Sequence, residues 1–171
     1  MSKKLFELLM FPVLFAVLII DGQLSTLATN WSVGNFSISS HILLMIAIFY
    51  ANFISLKFSL FVFMIIGFIY DISYLGLVGI ATTTLPLVVF GMYFFFQAME
   101  SRRIFNLLIL VVSLFQFEFI SYLFARFFHL TNLSVFIFVF NNLLPSLLFN
   151  LLLFFILQPL MEQSFGFTNK T

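Results

Sequence analysis

Long apolar runs alternate with short polar breaks along the chain, and the spacing suits a bilayer. A helix that crosses the hydrocarbon core needs about 20 apolar residues, with a range of about 17–25. Marking each run by the polar residues that close it predicts six spans, at 5–20, 38–56, 58–75, 79–96, 104–128 and 133–157. Asp21-Gly22 stops the first run. The stretch DGQLSTLATNWSVGNFSISS then reads as the longest loop, with Trp31 as its interfacial anchor. Lys57 marks a tight turn between the second and third runs. One continuous helix there would outrun the bilayer and bury Lys57, so a hairpin is expected. The cluster Glu100-Ser101-Arg102-Arg103 separates the fourth and fifth spans, Pro145 lies inside the sixth, and a polar tail ends at Thr171.

Composition strengthens the membrane reading. The 171 residues are 63% hydrophobic and 8% charged, against about 45–50% apolar and about 25% charged in a soluble domain. A soluble fold of this length lacks the interior to hide so much apolar surface. The expected fold class is therefore all-α integral membrane, with residues 1–171 as one six-helix domain. The 29 phenylalanines suit lipid-facing and packing surfaces because the ring carries no polar atom to satisfy. An A+T-rich coding sequence would give the same excess. No internal repeat and no low-complexity linker is evident.

Charge sets the orientation. In a six-span chain Lys3, Lys4, Lys57, Arg102, Arg103 and Lys170 fall on one side and Arg126 alone on the other. Basic residues favour the cytoplasm, so both termini are expected there. A competing reading makes Lys3-Lys4 and the first run a signal peptide cleaved near Thr26-Leu27-Ala28. The run is at the long end for such a segment and the site lies well past it, so an uncleaved span is favoured. Asn30, Asn35 and Asn132 begin glycosylation triplets on the outer side, a pattern common by chance.

Several chemistries are excluded or disfavoured. Cysteine is absent, which removes disulfides, thiolate chemistry and cysteine-ligated metals. The net charge of +1 argues against a nucleic-acid partner. His41 and His129 are far apart, so neither a metal nor another cofactor is expected. No phosphate-binding loop, zinc motif or nucleophile elbow is present, and a non-enzymatic chain is expected.

The candidate site residues are the polar groups inside the spans, which are costly there and functional candidates by default. At 1.5 Å of rise per residue, Asp71 lies about 20 Å up the third span and Glu118 about 21 Å up the fifth. Asn141 and Asn142 lie about 12–14 Å down the sixth, close to the same level. Asp21 closes the first span, and Gln116 and Ser121 flank Glu118. A polar layer in the outer half of the bundle is expected, with Asp71 facing the helices that carry Glu118 and the asparagine pair. Two readings of Asp71 stand together: a cap on backbone amides where a helix ends, or a contact with a ligand or partner. Tyr74, Gly76 and Gly79 follow it as a helix end and turn. Gly76 suits a left-handed cap and Gly67 a close helix approach. Tyr122 and Arg126 follow Glu118 at steps of four, and Arg126 is an interfacial anchor or the partner of an outer carboxylate. His41 and His129 read as interfacial. Pro145 frees a carbonyl near Asn141 and Asn142, whose amides can compensate it. Ala47 and Ala51 form a small-xxx-small pair for packing inside the chain or with a partner.

These residues resemble a family. The N-terminal lysine pair, the Asp21-Gly22 break and the pattern Gly67, Asp71, Gly76, Gly79 at the end of the third span are similar to the rod shape-determining MreD proteins. The charged cluster at 100–103 and the asparagines Asn141, Asn142 and Asn150 of the last span extend the likeness over essentially the whole chain. The resemblance implies a subunit of the cell-wall elongation machinery in the bacterial inner membrane. Its partners would be MreC and, through MreC, RodA and a class B penicillin-binding protein, with MreB joining from the cytoplasm. Partner binding would run through helix faces in the lipid bilayer. The family's fold looks like the S-component of energy-coupling-factor vitamin transporters, which supplies an alternative function. Those proteins carry A-x-x-x-A on the first helix, where this chain has LFAVLIID.

Overall fold

A computed structural model describes residues 3–33, 35–51, 53–98 and 103–164. Glu100 to Arg102, Lys170 and the polar tail from residue 165 lie outside the described residues. Among those described, regular structure is helical and no strand occurs.

The first helix, α1 (Lys3–Trp31), runs straight through the Asp21-Gly22 pair that was expected to stop it. Two hydroxyls bond back onto the helix there. Ser25 Oγ donates to the Asp21 carbonyl at 2.6 Å and Thr26 Oγ1 to the Gly22 carbonyl at 2.9 Å. Residues 26–28 lie within the same helix. The long loop expected from residue 21 thus begins only at Ser32.

The expected span at 38–56 is the second correction. Residues 37–41 are non-helical, and α2 covers only Ile42–Tyr50. Nine residues rise about 13 Å, too little to cross a bilayer alone. Helix α2 is almost wholly buried, with Leu44, Met45 and Ile48 at the centre of the hydrophobic core. Ala47 and Ala51 are both buried in that core, so their small side chains serve packing within this chain. The turn expected at Lys57 is present: α3 (Leu56–Tyr70) starts there, with Lys57 exposed.

Helix α3 widens into a π-helical turn at Asp71–Leu75 and stops where Gly76 takes the left-handed conformation, φ 64°. Helix α4 (Ile80–Ala98) returns against α3. Gly67 sets their closeness, because a Cβ there would lie 2.5 Å from the Ala81 carbonyl oxygen, a backbone atom that cannot step aside. Helix α5 is Arg103–Phe127. Helix α6 has three consecutive stretches: α-helical Val135–Phe138, π-helical Val139–Leu143 and α-helical Leu144–Ser164.

Among the described residues, four segments are long and apolar enough to cross a membrane: Met10–Trp31, Leu56–Leu75, Ile104–Phe127 and Val135–Met161. The apolar part of α4, Ile80–Phe95, is shorter.

Candidate functional site, a polar clamp around a broken helix

Asp71 is fully buried and acts as the N-cap of a helix it does not belong to. Its Oδ1 accepts from the Ala81 amide at 2.7 Å. Its Oδ2 accepts from the amides of Gly79 (2.7 Å) and Thr82 (3.0 Å) and from Thr82 Oγ1 (2.7 Å). The first N–H groups of a helix have no partner within it, and a carboxylate answers both their bonding need and the positive end of the helix dipole. Gly76 and Gly79 bend the chain sharply enough for α4 to begin over Asp71.

Asp21 repeats the arrangement on α2. Its Oδ1 accepts from Ser40 Oγ (2.6 Å) and the Ile42 amide (2.8 Å), and its Oδ2 from the Leu43 amide (2.8 Å). His41, which precedes α2, provides no side-chain cap. In both cases an acid in one helix holds the start of the next.

Between them the non-helical residues 37–41 are held by side chains from both sides. On α1, Thr29 Oγ1 exchanges bonds with the Ile38 amide and carbonyl, and Ser25 Oγ accepts from the Ser40 amide at 2.8 Å. On α6, the Asn141 carbonyl accepts from the Ser37 amide at 2.9 Å and Ser146 Oγ from the Ser39 amide at 2.9 Å. Asn150 Oδ1 accepts from the His41 amide at 2.8 Å, and its Nδ2 donates to the Ser39 carbonyl at 2.7 Å. Along α1 the contacts run from residue 29 to 21 as the segment advances, and along α6 from 141 to 150. The segment therefore runs antiparallel to α1 and parallel to α6. Four helical residues rise about 6 Å and two extended residues about 6.6 Å, so a polar residue every fourth position matches a fully extended strand. Non-helical backbone survives at membrane depth only when its polar groups are satisfied inside the protein.

Pro145 explains the Asn141 contact. Lacking an N–H, it cannot bond the carbonyl four residues earlier, and that carbonyl is free to take the Ser37 amide. The widened turn at Val139–Leu143 lies immediately ahead of it. The compensation expected from the asparagine amides comes from Ser37 instead.

The expected polar layer is present but differently composed. Glu118 meets His41, with Oε1 2.8 Å from Nε2. Among the described residues no bond joins Glu118 to Asp71, whose partners are Gly79, Ala81 and Thr82 at the start of α4. His41, expected at the interface, is buried and also packs edge-on against Phe117 at 5.0 Å. Asn141 and Asn142 are one to two turns too high: Asn141 is exposed and Asn142 half-buried, and Ser146 and Asn150 occupy the layer. The expected depth was counted from residue 133, whereas the side chains that meet residues 37–41 lie one to two turns further along the helix. Arg126 is exposed and donates to Tyr122 Oη at 3.0 Å, and Tyr122 donates to the Leu133 carbonyl at 2.8 Å, tying α5 to the loop before α6. His129 lies exposed in that loop with φ 57°. Gly22 gives room to the Tyr74 ring, whose hydroxyl donates to the Leu18 carbonyl at 3.2 Å. Gln116 rests on Gly91 of α4.

Ser25, Thr29, Ser40, His41, Ser146 and Asn150 were not singled out as site residues from sequence. The legible signal was spacing: polar residues at 21, 25 and 29, and again at 146 and 150. Among the described residues no group of three or more His, Cys, Asp or Glu side chains is placed to hold a metal. An apolar groove of about 360 Å³, lined by Ile104, Leu107, Phe155, Gln158 and Pro159, lies at the opposite end of α5 and α6 from the clamp.

A family model for the rod shape-determining protein MreD matches residues 2–167 of the chain. No curated protein and no solved structure matches.

Proposed function

The chain belongs to the MreD family of rod shape-determining proteins, and on that premise we propose that it is a subunit of the bacterial cell-wall elongation complex that binds MreC in the cytoplasmic membrane. Membership makes it a cell-shape-determining membrane protein of a structural rather than enzymatic family. RodA and a class B penicillin-binding protein join as indirect partners, with MreB meeting the cytoplasmic loops.

The observation that carries this reading is how the membrane-depth acids are used. Both oxygens of Asp21 and of Asp71 are occupied by the chain's own amides and hydroxyls. Groups committed in this way shape a surface and leave little for a substrate. The vitamin-transporter alternative gains nothing from them, and the groove at the other end of the bundle is apolar.

The topology that fits is six crossings with both termini inside. The second crossing joins the extended residues 37–41, about 13 Å long, to α2, about 13 Å more. Together they approach the core thickness of about 30 Å. With residues 37–41 antiparallel to α1, the alternation of directions is kept.

The test is to purify the tagged protein from native membranes in mild detergent and identify what accompanies it by mass spectrometry. Recovery of MreC, with or without RodA and its transpeptidase, is expected. Recovery of a transporter T-component with paired ATPases would overturn the reading.

A further inference from the structure

Among the three acids of the clamp Glu118 is the one left half-used. Asp21 and Asp71 spend both oxygens on amides and hydroxyls of this chain. Glu118 spends one: Oε1 lies 2.8 Å from His41 Nε2, and Oε2 has no partner among the described residues. An ionised carboxylate can accept about four hydrogen bonds. The free oxygen is not sealed away, because 13% of the Glu118 side chain is exposed. The surroundings repeat the shortage. Tyr70, one residue before Asp71, packs its ring edge-on against Phe117 at 6.4 Å and tilted against Tyr74 at 5.1 Å. Its hydroxyl bonds to no described residue, yet it lies within electrostatic reach of Glu118, Asp21 and Asp71. One turn beyond Glu118, Ser121 Oγ is buried without a partner. Ser25, Thr26, Thr83 and Thr84 all bond back to the carbonyl four residues earlier, and Ser121 does not. Oxygens left without donors inside a protein are costly.

The spot is open between the ends of α3 and α5, which both pack on α4. Phe117 is buried, but further along the same face of α5 Ser121, Phe124 and Ala125 are only half-buried. One turn beyond Tyr70, Tyr74 is 44% exposed. Charge decides what fits there. The titratable groups that face the spot are Asp21 from α1, His41 ahead of α2, Tyr70, Asp71 and Tyr74 from α3 and its widened turn, and Glu118 from α5. Neither α4 nor the described part of α6 brings a charged side chain to this end. Arg126 is turned to Tyr122. The helix starts held by Asp21 and Asp71 each offset only about half a charge. With three carboxylates against one imidazole, the spot stays negative whichever form His41 takes. Water supplies donors but leaves that charge in place. A primary ammonium supplies three N–H donors together with a positive charge, and the rings of Tyr70, Tyr74 and Phe117 suit a cation.

We propose that Glu118 and Tyr70 form a binding site for the primary ammonium group of a small ligand, which enters between the ends of α3 and α5. The ammonium donates to Glu118 Oε2 and to the Tyr70 hydroxyl, and its charge balances the carboxylates around it. A free amine and the ethanolamine headgroup of a lipid carry the same group. Either one adds a polar tie between α3 and α5 beside the Tyr70–Phe117 ring contact. The site goes beyond the partner reading and does not depend on it.

The experiment melts the purified full chain in phosphatidylcholine nanodiscs with increasing n-propylammonium chloride. Sodium chloride at equal ionic strength and 1-propanol are the controls. A saturable rise in melting temperature is expected from propylammonium alone, about 3–5 °C at tenfold excess over the dissociation constant. Glu118→Gln, which can keep the His41 bond, is expected to lose the rise, and Tyr70→Phe to raise the midpoint concentration at least about threefold. No saturable rise, a rise matched by 1-propanol, or a rise unchanged in Glu118→Gln overturns the inference. Should Glu118→Gln fail to fold, Tyr70→Phe decides, and an unshifted midpoint overturns it. Repeating the titration in phosphatidylethanolamine separates the two sources: a response lost there assigns the site to the lipid headgroup, and a response kept assigns it to a free amine. Protein purified together with MreC is the last arm. A response kept there supports the small-ligand site, whereas one abolished by MreC gives the site to a basic side chain of the partner and overturns the inference. If MreC does not co-purify, the partner reading fails and the titration of the chain alone still decides this one.

Discussion

Asp71 accepts four hydrogen bonds, three of them from backbone amides. An asparagine keeps one oxygen and leaves at least one amide without an acceptor, so Asp71→Asn is expected to cost about 1–3 kcal/mol and Asp71→Ala clearly more. Thermal unfolding in mild detergent measures both. Glu118 has a smaller task, a bond to His41. Glu118→Gln retains an acceptor and is expected to cost under about 1 kcal/mol, with Glu118→Leu costing about 1–3 kcal/mol. Asn141 acts through its carbonyl, so Asn141→Ala is expected to stay within about 0.5 kcal/mol of the wild type. The acid at 71 was legible in the sequence as either a cap or a contact, and the glycines after it pointed to the cap. His41 and Asn150 were not legible, because their partners are 77 and 109 residues away. Sequence spacing reports neighbours on one helix and is blind to which helices meet.

At the scale of elements, α1 and α2 depart from the hydrophobic pattern for one reason. A hydropathy reading treats every polar residue as facing water, so Asp21-Gly22 looked like an end and the run 38–56 like a helix. Here the polar residues of α1 face the backbone of residues 37–41, and the segment that seemed one helical span is a non-helical stretch followed by a short helix. Helices α3, α5 and α6 were legible because their apolar runs are long and uninterrupted enough to outweigh the polar residues within them. Two substitutions test the packing. Gly67→Ala pushes a methyl group into the Ala81 backbone and is expected to destabilise by about 1–3 kcal/mol. Pro145→Ala returns an N–H that competes for the Asn141 carbonyl, so the Ser37 amide is expected to exchange about tenfold faster, equivalent to about 1.4 kcal/mol. An unchanged exchange rate would mean that Pro145 does not release that carbonyl.

For the whole molecule, the absence of cysteine allows each side of the membrane to be probed with single introduced thiols. Ser134→Cys is expected to label from outside and Lys57→Cys only after the membrane is permeabilised; the reverse would invert the topology. The family was legible from short motifs spread along the chain, since these are the glycines and acids that build the clamp. The central claim is that the membrane-depth acids act by shaping the outer surface and do not themselves touch the partner. The most direct test is the amount of MreC recovered per unit of folded protein for Asp71→Asn, set beside its melting temperature. The account predicts that recovery falls only as stability falls. MreC lost from protein that melts like the wild type would contradict it by making Asp71 a contact, and full recovery from protein of full stability would contradict it by leaving Asp71 without a role.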